Sequence, residues 1–224
     1  MSIPCVVLPA VSRQDMMERN LAALDHPVDR LVIIENSLTG YTYAAPDGSP
    51  IARVDHIRPV LGLGVTGGFN AGISQTPEAG WWLLTSTDIS YGPGDLAAID
   101  ALMSEFPDVP TVVTGSRSDE RLLRGAYMAV NRACVEAVGL YDEWAFYPCY
   151  FEDDDYVRRC ELAGVDWIEY DGGIGHDRSI TIRSDPAKAA RNAETFPDCA
   201  RRYEEKWGGR PGAERFETPY GLPV

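Results

Sequence analysis

Phe151 to Gly164 reads F-E-D-D-D-Y-V-R-R-C-E-L-A-G, a short helical pattern opened by four consecutive acids. Acids in a first helical turn are favoured by the helix dipole, so one or two of them need no reason beyond capping. Glu152, Asp153, Asp154 and Asp155 together repel one another. Adjacent carboxylates that fold together raise each other's pKa unless a cation or hydrogen-bond donors offset the repulsion. A cluster that costs stability is a candidate site, and a solvated helix start is the alternative these residues leave open. Just before it runs an aromatic series, Trp144, Phe146, Tyr147, Tyr150 and Phe151. Such rings shield one side of the acids from water and offer a stacking platform for a sugar or a base; ordinary core aromatics would have the same spacing.

Outward from this stretch, the composition limits the function classes. A chain of 224 residues with 45% hydrophobic content suits one domain with one sizeable core. No apolar run approaches the roughly 20 residues of a membrane helix, and Met1 to Ala10 lacks the basic start of a signal peptide, so the expectation is a soluble, cytoplasmic protein. Cys5, Cys134, Cys149, Cys160 and Cys199 are scattered and odd in number, which predicts buried thiols and neither a disulfide framework nor a cysteine zinc site. The net charge of −14 disfavours casual binding to nucleic acid or anionic membranes. From Arg178 to Arg215, however, nine basic residues face six acids, so nucleic acid enters only as an acceptor met through this C-terminal segment.

In order, the chain alternates strand and helix. Ile3 to Pro9 reads as a strand, followed by a helical pattern through Met16, Met17, Leu21 and Leu24 and a second strand at Leu31 to Ile34. That strand ends in Glu35-Asn36-Ser37, where open α/β sheets bind ligands; an Asx-type turn would look alike. A strand near Arg53 to Ile57 leads to Leu61 through Gly72, whose glycines let backbone amides approach a phosphate ahead of a helix reaching Gln75. The G-x-G-x-x-G match at Gly62, Gly64 and Gly67 follows a long loop and is no Rossmann fingerprint, and the Lys of a Walker loop is missing. Trp81 to Leu84 reads as a central strand ending in Thr85-Ser86-Thr87-Asp88, with Asp88 placed either to hold Mg²⁺ or Mn²⁺ or to cap a helix. A helix at Leu96 to Phe106, strands at Thr111 to Thr114 and Gly125 to Val130, a helix at Arg132 to Val138, a strand at Asp166 to Tyr170 and a last helix at Pro186 to Trp207 complete the pattern.

This order of pieces resembles the family 2 glycosyltransferases of the GT-A fold, in particular soluble, non-processive, rhamnosyltransferase-like members. Glu35-Asn36-Ser37 answers the family's D-N-x-S, and Gly62 through Gly72, with Asn70, answers its glycine-rich loop. Ser86-Thr87-Asp88 stands at the D-x-D position. Gly125, Arg132, Gly139 and Tyr141-Asp142-Glu143 match the next block, and Glu152, Asp153, Asp155, Arg159 and Gly164 match the E-D-x-D helix. The likeness covers about Ile3 to His176. Glu35 in place of Asp leaves the donor base open, and Ser86 removes the first acid of D-x-D. There is no Q-x-x-R-W motif, which argues against a processive synthase.

The resemblance implies a Rossmann-like, mostly parallel sheet flanked by helices over residues 1–180, with residues 181–224 forming a C-terminal helix and tail on the same domain. It also implies an inverting, metal-dependent transfer from a UDP-, dTDP- or GDP-linked sugar to an acceptor hydroxyl. Asp153 would be the general base, with Glu152 and Asp155 positioning hydroxyls or setting its pKa. Pro9, Arg13, Glu35, Asn36, Ser37, Gly67, Gly68, Asn70, Ser86 and Asp88 would meet the donor, and Trp144, Tyr150 and Phe151 the acceptor. His176, in a glycine-rich loop, would replace the missing acid as a ligand beside Asp88, a pair that favours Mn²⁺ over Mg²⁺. Arg159 is either an ion-pair partner of Asp155 or part of the site. Two other classes stay open: a sugar-phosphate nucleotidyltransferase, whose basic glycine-rich signature after the first strand is missing, and a sugar-nucleotide-binding module without activity.

Overall fold

Strands buried on both faces must be apolar at consecutive positions, and three short runs of this chain have that character. A computed structural model of the protein describes residues 1–116, 125–177 and 180–223. The runs are β1 (Val6–Ala10), β2 (Leu31–Glu35) and β4 (Trp81–Leu84), which lie side by side and parallel, with β3 (Val54–Ile57) beyond β2. Alternate side chains enter two cores. Val6, Leu8, Leu31, Ile33 and Leu83 face one, and Val7, Val32, Ile34, Trp82 and Leu84 face the other.

The sheet continues through β6 (Thr111–Thr114), β7 (Met128–Asn131) and β8 (Asp166–Glu169) in the order β3-β2-β1-β4-β7-β6-β8. β7 runs antiparallel to both its neighbours, so six strands point one way and their carboxyl ends gather on one rim. A two-stranded ribbon, β5 (Ile89–Ser90) with β9 (Gly175–His176), sits apart from the main sheet. Helices α1 (Gln14–Ala22) and α3 (Asp95–Glu105) bury Met17, Leu21, Leu96, Ile99 and Met103 in the first core. Helices α2 (Gly64–Gln75), α4 (Arg132–Val138) and α5 (Glu152–Ala163) bury Phe69, Ile73, Cys134, Tyr156 and Cys160 in the second.

One element differs in kind from its sequence reading. All but Gly62 of the glycines read as a phosphate loop are inside α2, which begins at Gly64. A Cβ on Gly68 would lie 2.9 Å from Pro9 Cγ, and one on Gly72 would lie 2.2 Å from Val7 Cγ1. These glycines therefore let a helix lie directly on β1, and the apolar packing gained outweighs their poor helix propensity. The other elements expected from sequence lie within a few residues of their expected bounds, and all five cysteines are buried and free.

After α6 (Ile180–Arg183), α7 (Pro186–Trp207) is opened by Asp185, whose side chain accepts from Ala187 N and Lys188 N, and is closed by Gly208 at φ 74°. Its inner face carries Cys199, Tyr203 and Trp207 against Phe146. At its end Lys206, 5% exposed, lies 2.8 Å from Asp155 and 2.7 Å from Asp142. Asp155 is fully buried and also accepts from Trp207 Nε1 at 2.9 Å and Arg159 Nε at 3.0 Å. The network joins α7, α5 and the segment before α5. Among the described residues, no helix is long and apolar enough to cross a membrane.

Removing one partner of a buried ion pair leaves an uncompensated charge, at a cost of about 3 to 5 kcal/mol. Lys206→Met should therefore lower stability by about 3 kcal/mol, read as a fall in the urea midpoint at unchanged slope. A midpoint equal to that of the parent would show that the network contributes nothing to folding.

Candidate active site

The rim where the parallel strands end is the expected ligand edge of such a sheet, and a cleft of about 420 Å³ opens there. Ser86 and Asp88 follow β4, His176 comes from β9, and Glu152, Asp153 and Asp154 come from the first turn of α5; all line this cleft with Tyr150, Gly125 and Tyr141. Thr181 and Ile182 of α6 border it, and α6 is held over the end of β1 by a hydrogen bond from Ser12 Oγ to the Thr181 carbonyl.

His176 reaches Asp88 because Ile89 pairs with His176 across the β5–β9 ribbon. Gly175 permits this approach, since a Cβ there would lie 2.7 Å from Ser90 Oγ. Buried Asp95 fixes the preceding turn by accepting from Tyr170 Oη, Gly173 N and Gly92 N. The result sets His176 Nε2 3.8 Å from Asp88 Oδ2. Asp88 is 4% exposed, and its Oδ1 accepts from Ser86 Oγ at 2.5 Å, so Ser86 orients the carboxylate that the sequence pairs it with.

The acids of α5 are delivered by two consecutive non-glycine residues in left-handed conformation, Tyr150 at φ 79° and Phe151 at φ 67°. Such backbone costs about 1 to 3 kcal/mol per residue and persists where surrounding packing dictates it. Phe151 packs against Phe196 and Tyr203, and Tyr150 meets Phe196 edge-on. Asp153 lies against Gly125, where φ is 76° and a Cβ would stand 2.5 Å from Asp153 Oδ2. A side chain at 125 would displace the carboxylate. Burial, then the charge of Asp153, raises the Glu152 carboxyl well above the ordinary range, and its Oε2 is sealed without a hydrogen-bond partner.

Several residues read as site residues have other work. Asp155 is not in the cleft, because the Lys206, Trp207 and Arg159 donors consume its oxygens in the core, which also makes Arg159 its ion-pair partner. Asn70 Nδ2 donates to Tyr141 O and Glu143 Oε2 and its Oδ1 accepts from Tyr141 N, so it clamps residues 141–143 to α2. Asn36 joins the end of β2 to the start of α2 through Leu63 N and Gly64 O. Burial raises the pKa of Glu35, but donors from Ser37, Thr39 and Gly40 outweigh it and hold the carboxyl below its ordinary range, all within one turn. Pro9 and Gly68 form the helix–sheet contact, and Arg13 pairs with Asp15. Phe151 is in the α7 cluster, while Trp144 and Gly67 line a different groove. Sequence reading placed Gly125 in a motif block without a role in the site, and it missed the β5–β9 ribbon and α6, which are too short to leave a periodic signal.

The described C-terminal cations are also engaged. Lys188, Arg201 and Arg210 pair with Asp185, Glu205 and Glu204, Lys206 is buried, and Arg202 donates to the Trp144 and Ala145 carbonyls. Arg178 lies outside the described residues.

No protein-family model matches the sequence, and no curated protein matches it. Solved structures do match in shape. S. aureus TarS 1-349 superposes with TM-score 0.53 at 11% identity, over 92% of this chain and 71% of that one. The same TarS fragment in complex with UDP gives 0.53 at 11%, over 93% and 72%. The catalytic domain of Drosophila β1,4-galactosyltransferase 7 in complex with xylobiose gives 0.52 at 11%, over 81% and 73%. The chain has a GT-A fold. At this identity the likeness is one of architecture, and it agrees with the mostly parallel sheet flanked by helices expected from sequence.

The raised Glu152 pKa has a signed consequence. The folded protein holds this proton more tightly than the unfolded chain, whose carboxyl has the ordinary value of 4.5, so Glu152 subtracts stability as pH rises above that value. Glu152→Gln should be more stable than the parent at pH 7, with the gain vanishing below about pH 4. Thermal melts across this range check it; a gain independent of pH would place its cause outside ionisation.

Proposed function

We propose that the protein is an inverting, family 2-type glycosyltransferase that moves a sugar from a nucleoside diphosphate to an acceptor hydroxyl in the cleft at the sheet rim. The observation that carries this reading is the meeting of Asp88 and His176, from the end of β4 and from β9, with the acid turn of α5 in one cleft of a GT-A fold. That one structural neighbour is a complex with UDP, and another a galactosyltransferase, supports the donor class.

A divalent cation fits these residues. The carboxyl side chains bordering the cleft among the described residues are Asp88, Glu152, Asp153 and Asp154, with His176 the one base, so a diphosphate would be repelled without a cation. The 3.8 Å between His176 Nε2 and Asp88 Oδ2 exceeds a hydrogen bond and is less than twice a metal–ligand distance of about 2.1 Å, so both atoms can reach one ion. No group of three described His, Cys, Asp or Glu side chains converges to hold a metal, so Asp88 and His176 would share the ion with substrate oxygens. Bound there, Mn²⁺ or Mg²⁺ would neutralise the leaving diphosphate.

The chain's own residues supply the rest. Asp153, held against Gly125 and facing the cleft, takes the proton from the acceptor hydroxyl as that oxygen attacks the anomeric carbon. Glu152, its carboxyl raised well above the ordinary range by burial and then by the charge of Asp153, borders the same cleft and positions a sugar or acceptor hydroxyl. Tyr150 and Tyr141 border the same space and exclude water from it.

Asp153→Asn should reduce transfer at least a hundredfold while the Kd for UDP stays within a few-fold, since the base acts on the acceptor. Release of nucleoside diphosphate from a panel of UDP-, dTDP- and GDP-sugars, with calorimetric UDP titration, checks both; retained turnover removes Asp153 from the role. His176→Ala should raise the Mn²⁺ concentration for half-maximal UDP binding at least about tenfold. An unchanged metal requirement in that titration would exclude His176 as a ligand.

A further inference from the structure

The segment 147–150 has two faces. Cys149 and Tyr150 border the cleft, whereas Tyr147 borders a second groove of about 490 Å³ between the start of α2 and α7. Leu63, Glu143, Trp144, Asp198 and Arg202 also line it. Trp144 is 85% exposed, while Trp81, Trp82 and Trp207 are buried and Trp167 is partly buried. An indole left in water is ordinary on a mobile loop, but this one stands on a fixed backbone. Arg202 Nη1 donates to the Trp144 and Ala145 carbonyls, Ala145 N donates to Asp142 Oδ1, and Asp142 Oδ2 receives Lys206 from the buried network. A rigid aromatic face offers contact area with little ordering entropy to lose on binding.

The polar groups around it choose the occupant. Glu143 is oriented by Asn70 Nδ2 at its Oε2, and Asp198 and Arg202 stand on α7 across the groove. Acids and a guanidinium beside an aromatic face suit a neutral ring that has an apolar C–H face and a rim of hydroxyls able to donate and to accept. A nucleic-acid phosphate or an anionic headgroup would meet Glu143 and Asp198 on a protein of charge −14.

We propose that this groove is a saccharide subsite with Trp144 as its stacking face. It holds a remote unit of an oligosaccharide acceptor whose reacting hydroxyl crosses residues 147–150 into the cleft. The word acceptor rests on the transferase reading above; the saccharide subsite does not.

The test uses the full chain without donor. Defined oligosaccharides of two to six units, in neutral hexose, amino-sugar, deoxyhexose and uronic-acid series, are titrated while acrylamide quenching of tryptophan fluorescence is followed. Trp144 is the most exposed of the five tryptophans, so its protection dominates the signal. At least one series should protect it, with affinity rising from disaccharide to longer chains. Calorimetric titration, which does not depend on the indole, compares the variants: Trp144→Ala, which removes a side chain standing in solvent and should melt as the parent does, should weaken that binding at least tenfold, and Trp144→Tyr should restore part of it. Failure of every series to protect Trp144, or equal affinity in Trp144→Ala, overturns the proposal. UDP is titrated into the same preparations: glycan binding without nucleotide binding would keep the subsite and remove its acceptor role, and nucleotide binding without glycan binding would overturn the subsite alone.

Discussion

Asp155 is the point on which the active rim depends. A carboxylate with no exposure to water is stable only when its oxygens are saturated, and Lys206, Trp207 and Arg159 saturate them from two helices. Because two of those donors come from the last turn of α7, the C-terminal helix cannot leave without stranding the charge. Lys206 also reaches Asp142, so the segment that carries the aromatic run is fixed by the same ammonium. Buried ion pairs contribute little net stability relative to apolar packing, and their value is in specifying one arrangement. Here the arrangement specified is the angle at which the first turn of α5 meets the cleft.

Around that anchor the site divides by burial. Asp155, one residue beyond the acids of the cleft, faces inward because a helix turns 100° per residue, and the same rotation leaves Asp153 and Asp154 on the open side. Glu152 lies between the two environments, with one oxygen sealed and no partner for it. Four adjacent acids thus stand in different surroundings, and the Lys206 and Arg159 cations beside Asp155 offset part of the repulsion that a uniform row would impose. The opposite wall is simpler. A short two-stranded ribbon brings His176 to Asp88, and Ser86 holds the Asp88 carboxylate in position.

Glycines and asparagines show how one local chemistry suits either a ligand or a neighbouring element of the chain. Gly68 and Gly72 do permit a close approach, but to Pro9 and Val7 of the sheet. Asn36 and Asn70 do bind backbone groups, but those of Leu63, Gly64 and Tyr141 in the same chain. Small residues and amides serve a ligand or a helix contact by the same physics. The identity of the neighbour is a long-range fact, separated by 59 residues between Gly68 and Pro9 and by 71 between Asn70 and Tyr141.

What the sequence determined by itself is what depends on nearby residues. Apolar runs fixed β4 at Trp81–Leu84 and β6 at Thr111–Thr114, and the polar-to-glycine span fixed α7 at Pro186–Trp207, because hydrophobic period and caps are local properties. The order of strands and helices likewise implied an α/β sheet with its ligands at the carboxyl ends. Tertiary structure alone decided which acid of α5 is buried and which tryptophan is left in water. It also decided that β7 is antiparallel and that pairing of β5 with β9 is what brings His176 to Asp88 across 88 residues of sequence. Each of these is set by which surfaces exclude water together, and that is a property of the packed chain.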